Sequence, residues 1–180
     1  TKKAARCFYA LSQNRADSKR YPAIDTLDSY SKSLEYPEFI SFAKEKLDEN
    51  WVELVNEARN ILVRGKETEE QINILGDDSV PIDYHVTLWK SEFVDFVILQ
   101  QDAFDKIDAT TSLERQEFML KKVIGVTRSE FRFENFEEVA IYFKRLINAF
   151  RQMNYTIFKS EEFKKAEEEA NMVLEERLIK

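Results

Sequence analysis

The sequence predicts an all-α fold, an irregular bundle of about six helices behind an extended N-terminal arm. Three observations predict it. Glycine and proline number only three each in 180 residues, far below the roughly 7% and 5% of ordinary domains, so few turns are encoded. Apolar residues recur near a 3.6-residue period over several long stretches. Between those stretches stand helix start and stop signals. With 43% hydrophobic residues, the chain can bury a sizeable core.

Residues 1–20 carry a partial helical stripe of Ala4, Ala5, Phe8, Tyr9 and Leu11 and are expected to be helical. They are also basic: Lys2, Lys3, Arg6, Arg15, Lys19 and Arg20 against Asp17 leave a net +5, most simply a solvated face. Cys7 is expected to be a small buried hydrophobe.

The segment "RYPAIDTLDSYSKSLEYPEF", residues 20–39, has no helical stripe. Pro22 and Pro37 bias Tyr21 and Tyr36 toward extended backbone. It reads as an arm, which places a first unit at 1–35 and the bundle at 36–180.

From Glu38 to Arg64, a stripe of Phe39, Phe42, Ala43, Leu47, Trp51, Leu54, Val55, Ala58, Ile61 and Leu62 predicts helix, with a break near Asp48–Asn50. Gly65 is expected to stop it, and residues 67–75 to form a short helix ending at Gly76. Pro81 opens the next helix, which is expected to run to about Gln101 with Val86, Trp89, Phe93, Phe96 and Val97 inward. Thr111 with Glu114 offers a capping box before Leu113, Leu120, Val123 and Ile124. Asn135 with Glu138 offers another before Phe136, Val139, Ala140, Phe143, Leu146, Ile147 and Phe150. Phe131 to Phe133 read as a short extended link. The last helix, from Ser160, should contact the rest through Phe163, Met172, Val173 and Leu174. Its "EEFKKAEEEA" reads as a solvated face with Glu–Lys support.

Charge and motifs close several function classes. Net charge is −7 and the isoelectric point about 5.0, which argues against nucleic acid as the main partner. No apolar run approaches the roughly 18 residues of a membrane span, so direct membrane insertion is not expected. A single cysteine allows no intrachain disulfide and suits a reducing compartment. No Gly-x-x-x-x-Gly-Lys-Ser/Thr or Gly-x-Gly-x-x-Gly occurs, so the chain carries no phosphate cradle. One histidine, His85, excludes a di-iron bundle site and zinc clusters. Its neighbour Asp83 offers the one visible acid–base pair, but an ordinary surface or partly buried histidine is the simpler reading.

Three stretches in register then matter. "ARCFYALSQNRADSKRYPAIDTLDSYS" (5–31), "ILGDDSVPIDYH" (74–85) and "LQQDAFDKID" (99–108) resemble the catalytic A subunit of V/A-type rotary ATPases, over essentially the whole chain. The resemblance implies the C-terminal helical domain of a longer subunit, preceded by the end of the arm leaving the nucleotide-binding domain. The expectation is that Thr1 is not the protein's start and that the Walker A loop, the Mg²⁺-binding acid and the catalytic glutamate lie upstream. Residues 1–35, with their positive charge, should then pack on that domain. Within "RYPAIDTLDSYS", Tyr21 stands where the family usually has Phe, and Thr26 where it usually has Trp.

The resemblance also implies site residues. The adenine ring of ATP or ADP lies between two aromatics, matched by Tyr21 and Phe104, with Gln100 and Gln101 beside them; Tyr supplies the same π-face as Phe. The turn Gly76, Asp77, Asp78, Ser79, Val80, Pro81 and Asp83 corresponds to the loop that pushes the central shaft, and it resembles the acidic lever loop of the F-type β subunit. Partners would be the B subunit of the alternating hexamer and central-stalk subunits D and F, on the cytoplasmic face of a membrane across which H⁺ or Na⁺ is pumped. Mg-nucleotide belongs to the full subunit; the piece alone should bind none and be inactive. The rival reading is a stand-alone helical adapter whose phenylalanines anchor a partner helix.

Overall fold

The computed structural model describes residues 5–179. Two strands, β1 (Cys7–Leu11) and β2 (Ile24–Ser31), form an antiparallel ribbon. Between them lies a five-residue helix, α1 (Gln13–Asp17), whose N-cap Ser12 accepts from Arg15 N. The bundle then runs α2 (Pro37–Lys46), α3 (Trp51–Leu75), α4 (Ile82–Val94), α5 (Leu113–Arg128), α6 (Phe136–Asn154) and α7 (Glu161–Glu175). The all-α bundle of six helices is as the sequence predicts.

The first twenty residues are the main correction. Phe8 pairs with Tyr30 and Ala10 with Asp25 across a bulge, and the Phe8 and Tyr30 rings stack at 6.1 Å. A helical stripe of five apolar residues cannot register a partner strand more than a dozen residues away, and that partner decides the backbone. The expected helix at Ala4 lies outside the described residues. Cys7 is exposed rather than buried, because a two-stranded ribbon has one open face.

Gly65 does not stop a helix. It lies buried inside the 25-residue α3, facing Ser91 of α4, and a Cβ built on it would fall 2.1 Å from the Ser91 Cβ. The glycine lets two backbones approach closely. Residues 67–75 are therefore the end of α3, not a separate helix. The true stop is Gly76, at φ 87°, as expected. The break after Lys46 falls where predicted. Pro81 caps α4.

α4 ends at Val94 and passes into a π-helical segment, Asp95–Leu99, rather than continuing to Gln101. Its wider turn frees the Val97 carbonyl, which accepts from Asn154 Nδ2 at 2.9 Å. α5 is capped by Ser112, which accepts from Arg115 N, one residue past Thr111; Thr111 instead donates to the Asp108 carbonyl. Asn135 caps α6 as predicted.

The core lies between α4, α5, α6 and α7. Phe93, Phe143 and Phe150 are fully buried with Ile124, Leu146, Met153, Val123 and Val139; Phe93 meets Phe150 edge-on at 4.9 Å. α7 docks through Phe163, Ala166 and Ala170, while Met172 stays 62% exposed: small residues set the closest approach. Leu113 is likewise exposed. Phe131 does form an extended link, bridged to Leu178.

Candidate functional site

The turn between α3 and α4 is the simplest element. α3 and α4 form a long antiparallel hairpin closed by Gly76–Pro81, with one 3-10 turn at Asp77–Ser79. Asp77, Asp78, Ser79 and Asp83 are exposed and Val80 is half-buried. On the α3 side, Ile74 and Leu75 are also exposed, so the tip mixes acid with apolar surface. Beneath it His85 is buried, and its Nε2 lies 3.1 Å from the Asp77 carbonyl. A carbonyl only accepts, so Nε2 carries the proton. The imidazole also stacks on Phe136 at 5.0 Å, tying the turn to the start of α6. His85 is thus a structural pin for Asp77, not an acid–base partner of Asp83, whose carbonyl accepts from Thr87.

The second site lies at the other end of α4. After the π segment the chain turns through Gln100 and Gln101 into a loop, residues 100–112. Three aspartates spaced by three fold it. Asp102 accepts from Phe104 N at 2.9 Å, Asp105 accepts from Ile107 N and Asp108 N at 2.8 Å, and Asp108 accepts from Asp102 N at 2.7 Å. These turns hold Phe104 outward, 99% exposed. Tyr21 is half exposed, and its carbonyl accepts from Gln101 N at 2.9 Å. The fold therefore brings Tyr21 to Gln100 and Gln101 and puts Phe104 on the same short loop as the two glutamines. Among the described residues, neither the Tyr21 ring nor the Phe104 ring packs against another aromatic, and both are at least half exposed.

Ion pairs between residues far apart in the sequence join arm and bundle. Arg15 meets Asp95 at 2.5 Å; Arg20 meets Glu92 at 2.7 Å and Asp95 at 3.3 Å. The Asp95 side chain is 7% exposed. Arg20 also lies over the Phe96 ring at 4.5 Å. Burial lowers the Arg20 guanidinium, but the hydrogen bond and charge of Glu92, together with Asp95, outweigh it and leave it raised. The signal was present in the sequence: Asp95 interrupts the apolar run "FVDFVIL", and a charge so placed needs a partner. Arg15 and Arg20 are thus turned onto this chain's own acids.

A cavity of about 670 Å³ opens between the β-ribbon and the bundle, lined by Thr26, Tyr30, Trp51, Leu62, Gln100 and Asp108 among others. Gln100 Oε1 is buried there without a hydrogen-bond partner among the described residues. Burial pushes the Asp108 carboxyl above its ordinary value, against the Asp102 N–H and the charge of Arg115. No described helix is long and apolar enough to cross a membrane.

The family model described as the C-terminal domain of V and A type ATP synthase matches residues 41–139, which contain the α3–α4 hairpin and the Phe104 loop. The V-type ATP synthase alpha chain of Borrelia duttonii is 35% identical over 167 residues, 93% of this chain and 27% of that protein. That of Protochlamydia amoebophila is 32% identical over 94% of this chain and 28% of its own length. The chain therefore spans little more than a quarter of these relatives. An ATP synthase subunit of Nanoarcheaum equitans, NeqB, shares the fold with a TM-score of 0.52 at 21% identity, over 70% of this chain and 29% of that one. By the match over residues 41–139, the chain belongs to the family of C-terminal domains of V and A type ATP synthases.

Proposed function

We propose that this domain is the mechanical part of the catalytic A (alpha) subunit of a V/A-type rotary ATPase or ATP synthase. The observation that carries the reading is the α3–α4 hairpin inside the matched region, stiffened by the Gly65–Ser91 crossing and tipped by Asp77, Asp78 and Asp83. Packed helices move as units. ATP binding with Mg²⁺ upstream closes the subunit, swings the bundle inward and drives the turn against the central stalk, subunits D and F; shaft rotation reverses the path in synthesis. The acids meet basic shaft side chains, and Ile74 and Leu75 add apolar grip. Tyr21 and Phe104 hold the adenine ring from two sides, with Gln100 and Gln101 at its edge. The B subunit flanks this one in the hexamer, which sits on the cytoplasmic face of the membrane and moves H⁺ or Na⁺. Alone, the domain lacks the phosphate cradle and hydrolyses nothing. The buried phenylalanines are core rather than anchors for a partner helix, which weighs against an adapter.

The test is a cross-link. In the assembled complex, with the exposed Cys7 replaced by serine, Ser79→Cys should form a reversible cross-link to a cysteine on the shaft. ATP-driven rotation should stop and return on reduction. A Ser79→Cys complex that never cross-links while hydrolysis stays coupled would sink the lever assignment.

A further inference from the structure

We infer that Asp95 is a positioning residue for the base-binding wall of Tyr21 and Gln101, an inference that rests on the adenine-pocket reading above. Four contacts close a circuit between arm and bundle. The Asp95 carboxylate accepts from Arg20 Nη1 at 3.3 Å and from Arg15 Nη1 at 2.5 Å. The Asp95 carbonyl accepts from Gln100 N at 2.9 Å, the i to i+5 bond that ends the π segment. Gln101 N donates to the Tyr21 carbonyl at 2.9 Å, and Tyr21 follows Arg20 directly in the chain. One residue thus grips both halves of the wall, its side chain holding the arm segment that bears Tyr21 and its main chain holding the loop that bears Gln100 and Gln101.

The grip is stiff for stated reasons. The Asp95 side chain is nearly dry, so its two charge-assisted bonds are weakly screened. Glu92 fixes the far side of the Arg20 fork with two bonds, at 3.1 and 2.7 Å, and Phe96 lies under its flat face. Arg15 Nε also donates to the Pro22 carbonyl at 3.4 Å, so the residue after Tyr21 is held as well. Tyr21 makes no aromatic contact of its own among the described residues; its height over the pocket is set by these neighbours. Without Asp95, the two arginines lose their shared anchor, and the Tyr21 face moves relative to Gln101. Nucleotide affinity and base discrimination should suffer, while the phosphate chemistry upstream keeps its own residues.

The experiment uses the full subunit in its assembled complex. Asp95→Asn keeps shape and removes charge. It should raise KM for ATP by roughly five- to tenfold with kcat nearly unchanged, and lower the preference for ATP over GTP by a similar factor. Hydrogen exchange at the Gln101 amide should quicken. Arg20→Gln should shift all three the same way but less; because that side chain is 28% exposed, it carries the test if Asp95→Asn does not assemble. A fall in kcat with KM and base preference unchanged would mean a purely structural role and overturn the inference. Tyr21→Ala and Phe104→Ala separate the two levels. If they raise KM while Asp95→Asn moves neither KM nor Gln101 exchange, the positioning role fails and the pocket stands. If they leave KM and base preference untouched, the pocket reading fails, and the inference fails with it.

Discussion

α4 carries acids at both ends, and the two ends treat them differently. At its start, Asp77, Asp78 and Asp83 stand in solvent on a turn pinned by His85. At its finish, Glu92 and Asp95 are drawn under the arm and matched by Arg15 and Arg20. Exposed carboxylates need no buried partner in this chain; of the three, only Asp77 faces a ring nitrogen, His85 Nδ1 at 3.9 Å, and the tip stays open to another chain. A buried carboxylate needs a partner at once, because desolvation of an unpaired charge costs more than the fold can spare. The first end is suited to transient contact, the second to a fixed joint, and the rigid helix between them makes a displacement at one end a displacement at the other.

The rod itself can be broken first. Phe93 lies fully buried in the last turn of α4 against Phe150. Phe93→Ala should lose about 3–5 kcal/mol in urea unfolding, the largest effect expected, and decouple both ends. Asp95→Ala should cost about 3 kcal/mol, since it strands Arg15 in a nearly dry site; a loss under about 1 kcal/mol would show that the joint is wet and the contrast between the ends overstated. Gly65→Ala forces α3 from α4 at Ser91 and should cost about 2 kcal/mol, read as a lower denaturant midpoint at unchanged slope.

A pH series sharpens the polar side. The Asp108 carboxyl is raised in the folded protein by burial, so the folded state binds the extra proton. Its contribution is favourable below the ordinary carboxylate value and is lost as pH rises through the raised one. Asp108→Asn should therefore be more stable than the parent at neutral pH, with the gap closing in acid; a gap that stays constant with pH would remove Asp108 as the cause. Smallest of all, Asp77→Asn with Asp78→Asn should change stability by less than about 0.5 kcal/mol, even where it weakens coupling to a shaft. A larger loss would mean that the tip acids have a structural partner, and the two ends would no longer differ.

The bundle helices were legible because their signals are local. Gly76 and Pro81 punctuate the hairpin, Asn135 caps α6, and the stripe of Val139, Phe143, Leu146, Ile147 and Phe150 turns inward as its spacing dictates. The arm was not legible. Phe8 and Ala10 pair with Tyr30 and Asp25, and no local rule reports a partner so far along the chain. Gly65 misled for a related reason: the same missing Cβ that ends a helix also lets two helices touch, and only the neighbour, Ser91, distinguishes the cases.

The sequence by itself determined the fold class, the hairpin with its acidic tip, and the resemblance that the family match bears out. These follow from periodicity, turn chemistry and motifs, which act over a few residues. The tertiary structure decided where the charges go. It buried Asp95 and gave it Arg15 and Arg20, placed Gln101 on the Tyr21 carbonyl, and left Phe104 in the open. Charge pairing depends on distance in space, and residues 15, 20 and 95 become neighbours only when the arm folds back onto the end of α4.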